Sequence, residues 1–355
     1  SEQVTDIWGW TDSASQREFA LIAMFSGTSF VDVSDPNNPI PLGFLSGHGV
    51  KFELKDIKTY KDHAFIVSDK PENGLQIFDL GQLVTASTVS YTYFNETAHY
   101  DGFGDAHNLF INEDSGYAYI VGSNEVCGGG GLYMMNIDTP TNPEFVGCYG
   151  DRGYTHDVQC IIYDGPDAFY TDKEICFASN KDKLDIIDVS DKSNPELIST
   201  LTYRNHGYVH QGWLTEDRKF FLLDDELDEL EENTMNTTTF IIDVSDLERP
   251  YLKGIYKGDS AAVDHNQFVL GNYTYQANYR SGLRILELFR IEEGLLIEAA
   301  YIDTYPSDDE THARTGAFGI YPYFKSGIVL ISDIELGLFV VRPELSNTIT
   351  PPDTP

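Results

Sequence analysis

Short apolar segments separated by polar turns recur along the whole chain. Each repeat opens with one such segment, continues with a second, such as Ala64-Phe-Ile-Val or Tyr117-Ala-Tyr-Ile-Val, and adds a third that ends in an acidic turn. β-Branched and aromatic residues dominate these segments, which favours strands over helices. A further segment such as Tyr251-Leu-Lys-Gly-Ile-Tyr follows each turn. We therefore predict four short strands in every repeat.

The acidic turns are the most closely repeated part of this pattern. Three are near copies and one is looser: Asp32-Val-Ser-Asp-Pro-Asn-Asn-Pro39, Asp188-Val-Ser-Asp-Lys-Ser-Asn-Pro195, Asp243-Val-Ser-Asp-Leu-Glu-Arg-Pro250 and Asn136-Ile-Asp-Thr-Pro-Thr-Asn-Pro143. Asp, Ser and Asn supply side-chain hydrogen bonds to a turn, and Pro fixes φ. These copies indicate that one structural unit is used several times.

The first segments of the repeats are evenly spaced along the chain. They begin at Asp6, Asp56, His107, His156, His210 and His265, at intervals of 49 to 55 residues, and one more step reaches Ala317. A period in this range indicates a repeat array. Seven repeats of about fifty residues with four strands each predict an all-β, seven-bladed β-propeller.

We assign residues 1–344 to this single propeller domain. The last repeat has strand-like segments near 317–323, 327–332 and 338–342 but no convincing fourth. We expect residues 1–5 to close the ring as the missing outer strand, which would also protect a sheet edge. Residues 345–355 are rich in Pro and Thr and are predicted to form a linker or tail.

Composition narrows the classes of partner. The chain of 355 residues carries a formal net charge of −34, which argues against nucleic acid or an anionic membrane as a partner. No window approaches the apolar length of a membrane span, so no membrane insertion is expected. Clustered carboxylates on loops are candidates for Ca²⁺. The acidic run 224–232 does not match the EF-hand pattern, and we expect it to be a solvated loop.

The four cysteines allow two local disulfides. Cys160 lies in the segment that starts at His156, and Cys176 lies in the next one, so antiparallel pairing would place them side by side. Cys127 and Cys148 both belong to the preceding repeat. Disulfides would fit an oxidising compartment, whereas buried free thiols are the alternative.

Several motifs in order resemble the choice-of-anchor B family of bacterial proteins. The Asp-Val-Ser-Asp turns after Leu-x-Ile-Ile or Phe-Val strands resemble LVIVD repeats, and the family likeness rests on these further segments: His107-Asn, Cys127-Gly-Gly-Gly-Gly, His156-Asp-Val-Gln-Cys, His210-Gln-Gly-Trp-Leu, Asp264-His-Asn and Gln276-Ala-Asn-Tyr-Arg-Ser-Gly-Leu-Arg. The resemblance covers about 6–342. It implies export and attachment to the cell surface, and hence an extracellular, cell-surface or periplasmic location. The resemblance implies no particular activity.

The first strand of each propeller blade lines the central channel, so equivalent positions converge on the axis. His107, His156, His210 and His265 occupy one such position, and Asp6 and Asp56 occupy it in the first two repeats. Four converging imidazoles suit a divalent transition metal such as Zn, Mn, Cu or Fe, with the carboxylates as further ligands or as partners of the histidines. The alternative is a channel lined by hydrogen-bonded histidines. His48, His63, His99, His206 and His312 lie off this register and are expected to be structural or peripheral.

A second group of candidates lies on loops that share the same face. Arg280 is a scarce cation in an acidic protein and follows Tyr279, so we predict this pair to act as catalytic or anion-positioning residues. Tyr100, Tyr154 and Tyr208 precede three of the axial histidines and are candidates for the rim of a pocket, with core packing as the alternative. Acidic or polar loop pairs, among them 224–226, are expected near the mouth.

These features predict an exported propeller with an axial metal that acts as a metal-dependent enzyme. Analogy with other propellers suggests oxidative chemistry or cleavage of acidic sugars, and the sequence leaves lyase, hydrolase and oxidoreductase open. The expected partner is a small molecule or glycan at the loop face of a monomer. The alternative is a non-catalytic surface propeller that binds or adheres and whose metal or histidine ring is structural. No G-x-S-x-G or H-E-x-x-H motif supports a serine hydrolase or a zincin.

Overall fold

A computed structural model describes residues 2–49, 51, 54–307 and 313–345. Almost all of the tail predicted for 345–355 lies outside the described residues, as does His312. The described residues form seven sheets, antiparallel apart from one added strand in the first, arranged as the blades of a ring, which confirms the predicted seven-bladed β-propeller. No helix in these residues is long and apolar enough to cross a bilayer.

The strands follow the predicted order. The first two blades are built from β1 (Val4–Thr11), β2 (Glu18–Met24), β3 (Gly27–Asp32), β4 (Ile40–Ser46), β5 (Lys55–Tyr60), β6 (His63–Ser68), β7 (Leu75–Asp79), β8 (Thr92–Phe94) and β9 (Ala98–Tyr100). The third and fourth contain β10 (Asn108–Asn112), β11 (Tyr117–Val121), β12 (Leu132–Asn136), β13 (Glu144–Tyr149), β14 (Asp157–Ile162), β15 (Glu174–Ser179), β16 (Leu184–Asp188) and β17 (Glu196–Leu201).

The remaining three blades complete the ring. They contain β18 (Val209–Leu214), β19 (Phe220–Asp225), β20 (Thr238–Asp243), β21 (Tyr251–Lys257), β22 (Asn266–Leu270), β23 (Tyr273–Ala277), β24 (Leu283–Glu287), β25 (Ile297–Ile302), β26 (Ala317–Tyr321), β27 (Val329–Asp333) and β28 (Gly337–Val341). Within the described residues, helical structure is limited to single turns: α1 (Gly81–Val84), α2 (Cys127–Gly130) and the 3₁₀ turns Ala168–Tyr170 and Ile291–Glu293.

The second blade departs from the regular order of strands. Its outer strand is β9, and the preceding strand β8 instead joins the first blade, where it runs parallel to β4. Gly43 on β4 makes this pairing possible, because a Cβ there would lie 2.2 Å from the carbonyl oxygen of Thr92. The first blade consequently has five strands.

The repeated acidic turns have one hydrogen-bond pattern. The Oδ1 atoms of Asp32, Asp188 and Asp243 each accept a bond of 3.0 Å from the backbone N–H two residues later. Asn136 makes the same bond in the looser copy. The N–H one residue after each of these side chains also bonds to the first residue of the second strand or to the residue directly before it, as in Val189 N to Glu174 O at 2.9 Å. The sequence repeat therefore encodes an Asx turn that connects the third strand to the fourth.

The hydrophobic core is distributed between neighbouring blades. Phe30 of the first blade stacks on Phe78 of the second with ring centroids 4.8 Å apart, and Phe177 of the fourth stacks on Phe221 of the fifth at 5.4 Å. All four rings are buried. Because each interface buries one face of both sheets, a blade depends on its two neighbours for stability.

Both predicted disulfides are present. Cys160 on β14 lies directly opposite Cys176 on β15, with Cα atoms 4.0 Å apart, and Cys127 bonds to Cys148. No free cysteine remains in the described part of the chain. Each bond lies within one blade, so it closes a short loop and leaves the contacts between blades to other interactions.

Closure of the ring differs from the prediction for residues 1–5. Val4 pairs with Met24 inside the first blade, and the last blade has three described strands. One described backbone bond joins the amino terminus to that blade, from Val4 N to Ile334 O at 3.5 Å. The physical reason is that β1 continues amino-terminally as an inner strand, so the same residues are not available as an outer strand.

Side chains close the ring instead. The Glu18 carboxylate accepts from the Ser326 backbone N–H at 3.1 Å and from the Ser326 hydroxyl at 2.6 Å. Glu174 makes the corresponding contact between the fourth and third blades, where it accepts from Ser115 Oγ at 2.6 Å. The junction between the last and first blades thus uses a contact that also occurs inside the ring.

We expect Glu18→Ala to destabilise the protein by about 1–3 kcal/mol, because it removes a buried carboxylate that accepts two hydrogen bonds from Ser326, and bonds to a charged acceptor are among the stronger ones. Urea unfolding at constant pH measures the change. Glu2→Ala, which removes an exposed carboxylate that bonds to Ser26, is the matched control and should change stability by no more than about 0.5 kcal/mol. Equal effects of both variants would contradict this account of ring closure.

Candidate functional site

The structure brings the four axial histidines together along one arc of the channel. His107, His156 and His265 each directly precede the inner strand of a blade, and His210 is the second residue of β18. The centroids of successive rings are 4.3 Å apart from His107 to His156, 4.2 Å from His156 to His210 and 4.6 Å from His210 to His265. Side chains separated by about fifty residues in sequence are therefore neighbours.

Hydrogen bonds to the next blade orient three of these rings. His156 Nδ1 lies 3.1 Å from the carbonyl oxygen of His210. His210 Nδ1 lies 3.0 Å from the carbonyl oxygen of His265, and His265 Nδ1 lies 2.6 Å from that of Phe318. A carbonyl oxygen only accepts, so Nδ1 must donate its N–H. This assigns the proton to Nδ1 and leaves Nε2 as an acceptor, the form in which imidazole binds a metal.

The surroundings keep these imidazoles neutral. Burial lowers the pKa of His210 to about 4, and burial together with the neighbouring His210 lowers the pKa of His265 to about 3. Burial and the adjacent His210 and His107 also lower the pKa of His156 well below its usual value. Neutral imidazoles compete little with protons for a cation, so the arc is suited to bind one.

Glu226 completes a set of donor atoms that we did not single out from the sequence. One ligand atom each from His210, Glu226 and His265 lie within 4.8 Å of one another. The Glu226 carboxylate accepts from the Tyr279 hydroxyl at 2.7 Å and lies 3.8 Å from Arg314. Burial alone would raise the pKa of Glu226, but His210, His265 and the bond from Tyr279 outweigh it and lower that pKa. The sequence feature that could have indicated Glu226 is its place in the loop after the second strand of a blade, because that loop lies at the same end of the ring as the histidines.

The donor atoms open onto a cavity of about 490 Å³ at this face of the ring. All four axial histidines line it, together with Glu226 and Tyr279. Tyr154 and Tyr208 also line it, as proposed from their positions before the histidines. Tyr100 lies elsewhere, with its hydroxyl 2.6 Å from that of Tyr133. The cavity is large enough for a small molecule or one or two sugar residues next to the donor atoms.

Asp6 and Asp56 lie deeper in the channel and have structural partners. Asp6 accepts from the backbone N–H of Ile57 at 3.0 Å, and Asp56 accepts from that of Leu109 at 2.7 Å and pairs with Lys58. They line a smaller cavity of about 40 Å³ that the histidines also border. Each carboxylate joins its own blade to the next, and neither belongs to the set of donors formed by His210, Glu226 and His265.

Tyr279 and Arg280 point to different places. Tyr279 is buried with φ at 35°, and its ring lies 4.7 Å from that of His265. Gly316 permits this turn, because a Cβ there would lie 2.4 Å from the Tyr279 carbonyl oxygen. Arg280 instead stacks on Tyr305 at 3.9 Å and pairs with Glu335 at 3.1 Å. The arginine that lines the cavity is Arg314.

The remaining described histidines lie away from the donor set. His48 stacks on His99 with centroids 3.6 Å apart and lies 3.0 Å from Glu96. His63 bonds through Nδ1 to the Lys61 carbonyl oxygen at 2.7 Å, and His206 packs edge-on against Tyr203. These contacts agree with the structural or peripheral roles expected for them.

The acidic run 224–232 is not the solvated loop that we expected. Asp224, Asp225, Asp228 and Glu229 are each at most 2% exposed, and exposure begins at Leu230. Burial raises the pKa of Asp228 to about 7, and burial together with Asp228 raises the pKa of Glu229 to about 10. The reason is that 226–229 turns back into the ring directly after β19, which carries its carboxylates inward.

Comparisons with known proteins agree with the fold. Residues 175–202 and 237–258 match the LVIVD repeat, and each match contains one of the acidic turns. A search of curated proteins found no match.

Solved structures resemble the chain in fold at low sequence identity. Kuenenia stuttgartiensis hydrazine synthase is 11% identical with a TM-score of 0.64, and the match covers 97% of both chains. A protein from Lactobacillus plantarum is 14% identical with a TM-score of 0.58 over 94% of this chain and 89% of its own. The computationally designed Ika8 protein is 10% identical with a TM-score of 0.56, and the match covers 96% of this chain and 83% of the designed chain. At these identities the likeness shows fold alone. The blades, the repeated turns and the two matched segments together show a seven-bladed β-propeller that contains LVIVD repeats.

Proposed function

We propose that this propeller is a metal-dependent enzyme with a divalent transition metal bound on its axis. His210, His265 and Glu226 are the proposed ligands, and His156 lies beside them in the same arc. The observation that carries the proposal is that these three donor atoms lie within 4.8 Å of one another and open onto a cavity of about 490 Å³.

The chemistry of the donors supports an active site over a structural one. Two imidazoles and one carboxylate are the ligands of catalytic zinc sites and of the facial triad that binds non-haem iron, in which coordination positions remain open. Structural zinc sites are usually closed by four cysteine or histidine ligands. Zn, Mn, Fe and Cu are therefore the candidates, and an open position would face the cavity.

The residues around the donors have separate roles in this proposal. Tyr279 holds Glu226 through its hydroxyl, and burial together with Glu226 raises its pKa well above the usual value, so it retains its proton. Arg314 is half exposed at the cavity and offers a cation to an anionic group of a substrate. Tyr154 and Tyr208 supply aromatic surface on which a sugar or another ring can pack.

We propose a small polar molecule or a glycan unit as the substrate. A bound metal would supply Lewis-acid or redox chemistry, depending on its identity. Zn or Mn would favour a lyase or hydrolase, and Fe or Cu would favour an oxidoreductase. The net charge of −34 makes a long polyanion a poor partner, because it would be repelled at any distance within the Debye length.

We also propose that the protein works outside the cytosol. Its two disulfides are typical of proteins from oxidising compartments. An extracellular or cell-surface location also agrees with the family resemblance of the sequence.

The first prediction here concerns metal content. Protein purified without a histidine tag and without added metal should contain about one transition metal ion per chain by elemental analysis. His210→Ala with His265→Ala should contain almost none, because two of three ligands are lost. His63→Ala, which changes a partly exposed histidine that lines neither channel cavity, is the control and should keep the metal.

The metal found then chooses the assays, redox for Fe or Cu and lyase or hydrolase for Zn or Mn. Absence of a transition metal from the native protein, together with no uptake on titration, would reject the proposal. The non-catalytic surface propeller would then be the better description.

A second prediction tests the role of Tyr279. Tyr279→Phe removes the hydroxyl that holds Glu226, so metal affinity should fall by about 10- to 100-fold, the usual effect of losing a partner of a ligand. Competition with a chromophoric chelator measures the affinity. Tyr305→Phe, which alters a tyrosine stacked on Arg280, should leave it unchanged. An unaltered affinity in Tyr279→Phe would contradict the proposed role of Tyr279 in positioning Glu226.

A further inference from the structure

Five carboxylates are buried together behind the axial histidines. They belong to Asp224 and Asp225 at the end of β19, to Asp228 and Glu229 in the following turn, and to Asp264 directly before His265. Each is at most 2% exposed, and Asp225, Glu229 and Asp264 are completely buried. We call these five residues the acidic cluster.

No cationic side chain is in direct contact with the carboxylates of the acidic cluster in the described residues. None of its five carboxylates forms an ion pair with a lysine, arginine or histidine within 4.0 Å in the described part of the chain. The 19 ion pairs found there all involve other acidic groups. Buried charges are normally paired or bound to a metal. The cluster therefore has to bind either protons or a cation from outside the protein.

Several oxygen atoms of the cluster accept no hydrogen bond from an amide, hydroxyl, ammonium or guanidinium group. Both carboxylate oxygens of Asp264, both of Glu229 and Oδ1 of Asp228 are buried without a hydrogen bond. Native proteins leave few buried polar atoms unsatisfied, and five such oxygens in one cluster require an explanation. An ion that is not part of the protein would satisfy them together.

The other two residues are held in place by neutral donors. Asp225 accepts from the Tyr203 hydroxyl at 2.7 Å and from the Gly207 N–H at 2.9 Å. Asp224 accepts from the Gln267 amide at 2.6 Å. These bonds fix Asp224 and Asp225, whereas Asp228, Glu229 and Asp264 keep oxygens that accept no bond from a donor group.

The loop that carries Asp228 and Glu229 is folded back on itself. The Asp228 carbonyl oxygen accepts from the N–H groups of Asn233 at 2.8 Å and Thr234 at 3.2 Å, which closes the loop on itself. Gly207 allows the close approach, since a Cβ there would lie 2.6 Å from the Leu227 carbonyl carbon. The unpartnered carboxylates are therefore held inside by the backbone and not by their own bonds.

We propose that the acidic cluster is a Ca²⁺ site, with Asp228, Glu229 and Asp264 as its principal ligands and Asp224 beside them. All the donors are oxygens, which suits Ca²⁺ and distinguishes the cluster from the mixed nitrogen and oxygen set on the axis. Ca²⁺ accepts six to eight oxygen ligands in flexible geometry, so it tolerates donors from a strand, a turn and a separate blade. Mg²⁺ requires a stricter octahedron.

Ca²⁺ binding should draw the loop 226–236 towards Asp264. In the described residues, only the axial donors His210, Glu226 and His265 form a group of three or more ligand atoms that lie within 4.8 Å of one another. The carboxylates of the acidic cluster are therefore spread more widely than that. A cation would replace repulsion between them by attraction. It should therefore raise the thermal stability of the protein and protect the loop from proteolysis.

Thermal unfolding of the whole chain, stripped with EGTA and then supplied with Ca²⁺ alone, tests the site. We expect 1 mM Ca²⁺ to raise Tm by about 3–5 °C, as ligand linkage predicts for a chain of 355 residues at a concentration far above Kd. Calorimetric titration should give about one Ca²⁺ per chain. The same concentration of Mg²⁺ should give a clearly smaller shift.

Isosteric amide variants assign the site to the cluster. Glu229→Gln and Asp264→Asn should lose most of the Ca²⁺-dependent shift, and in EGTA they should be as stable as the native protein or more so, because repulsion is relieved. Glu231→Gln, two residues further along the same loop and exposed, should keep the full shift. If Glu229 and Asp264 had only a structural role, the two variants would have a lower Tm in EGTA and would keep the full response to Ca²⁺.

A variant of the axial site tests whether the two proposed metal sites are independent. His210→Ala with His265→Ala should retain the response to Ca²⁺, so this inference stands even if no transition metal is found. Absence of any Ca²⁺-dependent shift or heat in the native protein would overturn it. Retention of the full shift in both Glu229→Gln and Asp264→Asn would overturn it as well.

Discussion

The hydrogen bond from the inner strand of one blade to the backbone of the next is the interaction on which the site depends. His156, His210 and His265 each use Nδ1 to bind the following blade, and Asp6 and Asp56 do the same with carboxylate oxygens. Each bond satisfies a buried backbone group and fixes the angle between two blades. The same bond decides which imidazole nitrogen is left for a ligand, so the architecture of the ring and the chemistry of its axis have one cause.

Burial has opposite consequences on the two sides of the inner strands. Towards the axis it keeps imidazoles neutral, which prepares nitrogen donors for a transition metal. Behind them it confines five carboxylates without a counter-ion, which is costly unless a cation or protons are bound. Glu226 directly follows Asp225 in the chain, and His265 directly follows Asp264. A cation held there would fix the loop that carries Glu226 against the strand that begins after His265, and would position two of the three proposed ligands.

The repeat made much of the fold predictable. The Asp-Val-Ser-Asp turns encode a local Asx bond that forms whenever Asp precedes Ser by two residues in a tight turn, and the same bond appears at Asp32, Asp188 and Asp243. The 49- to 55-residue spacing of the first strands then placed four histidines at equivalent positions, because the inner strands of a closed ring must converge. Ring closure was harder to predict: Glu18 and Ser326 are over three hundred residues apart, and neither has a local pattern that marks the contact.

The sequence by itself determined the strands, the turns, the number of blades, the pairing of the cysteines and the arc of axial histidines, since these follow from local preference and a regular period. Only the tertiary structure decided which side chains share a site. It brought Glu226 to His210 and His265, turned Arg280 towards Glu335 and placed Arg314 at the cavity. It also buried Asp228, Glu229 and Asp264 together. These outcomes depend on how loops of different blades fold over the ring, and a loop's direction is set by its packing against distant residues that the period does not describe.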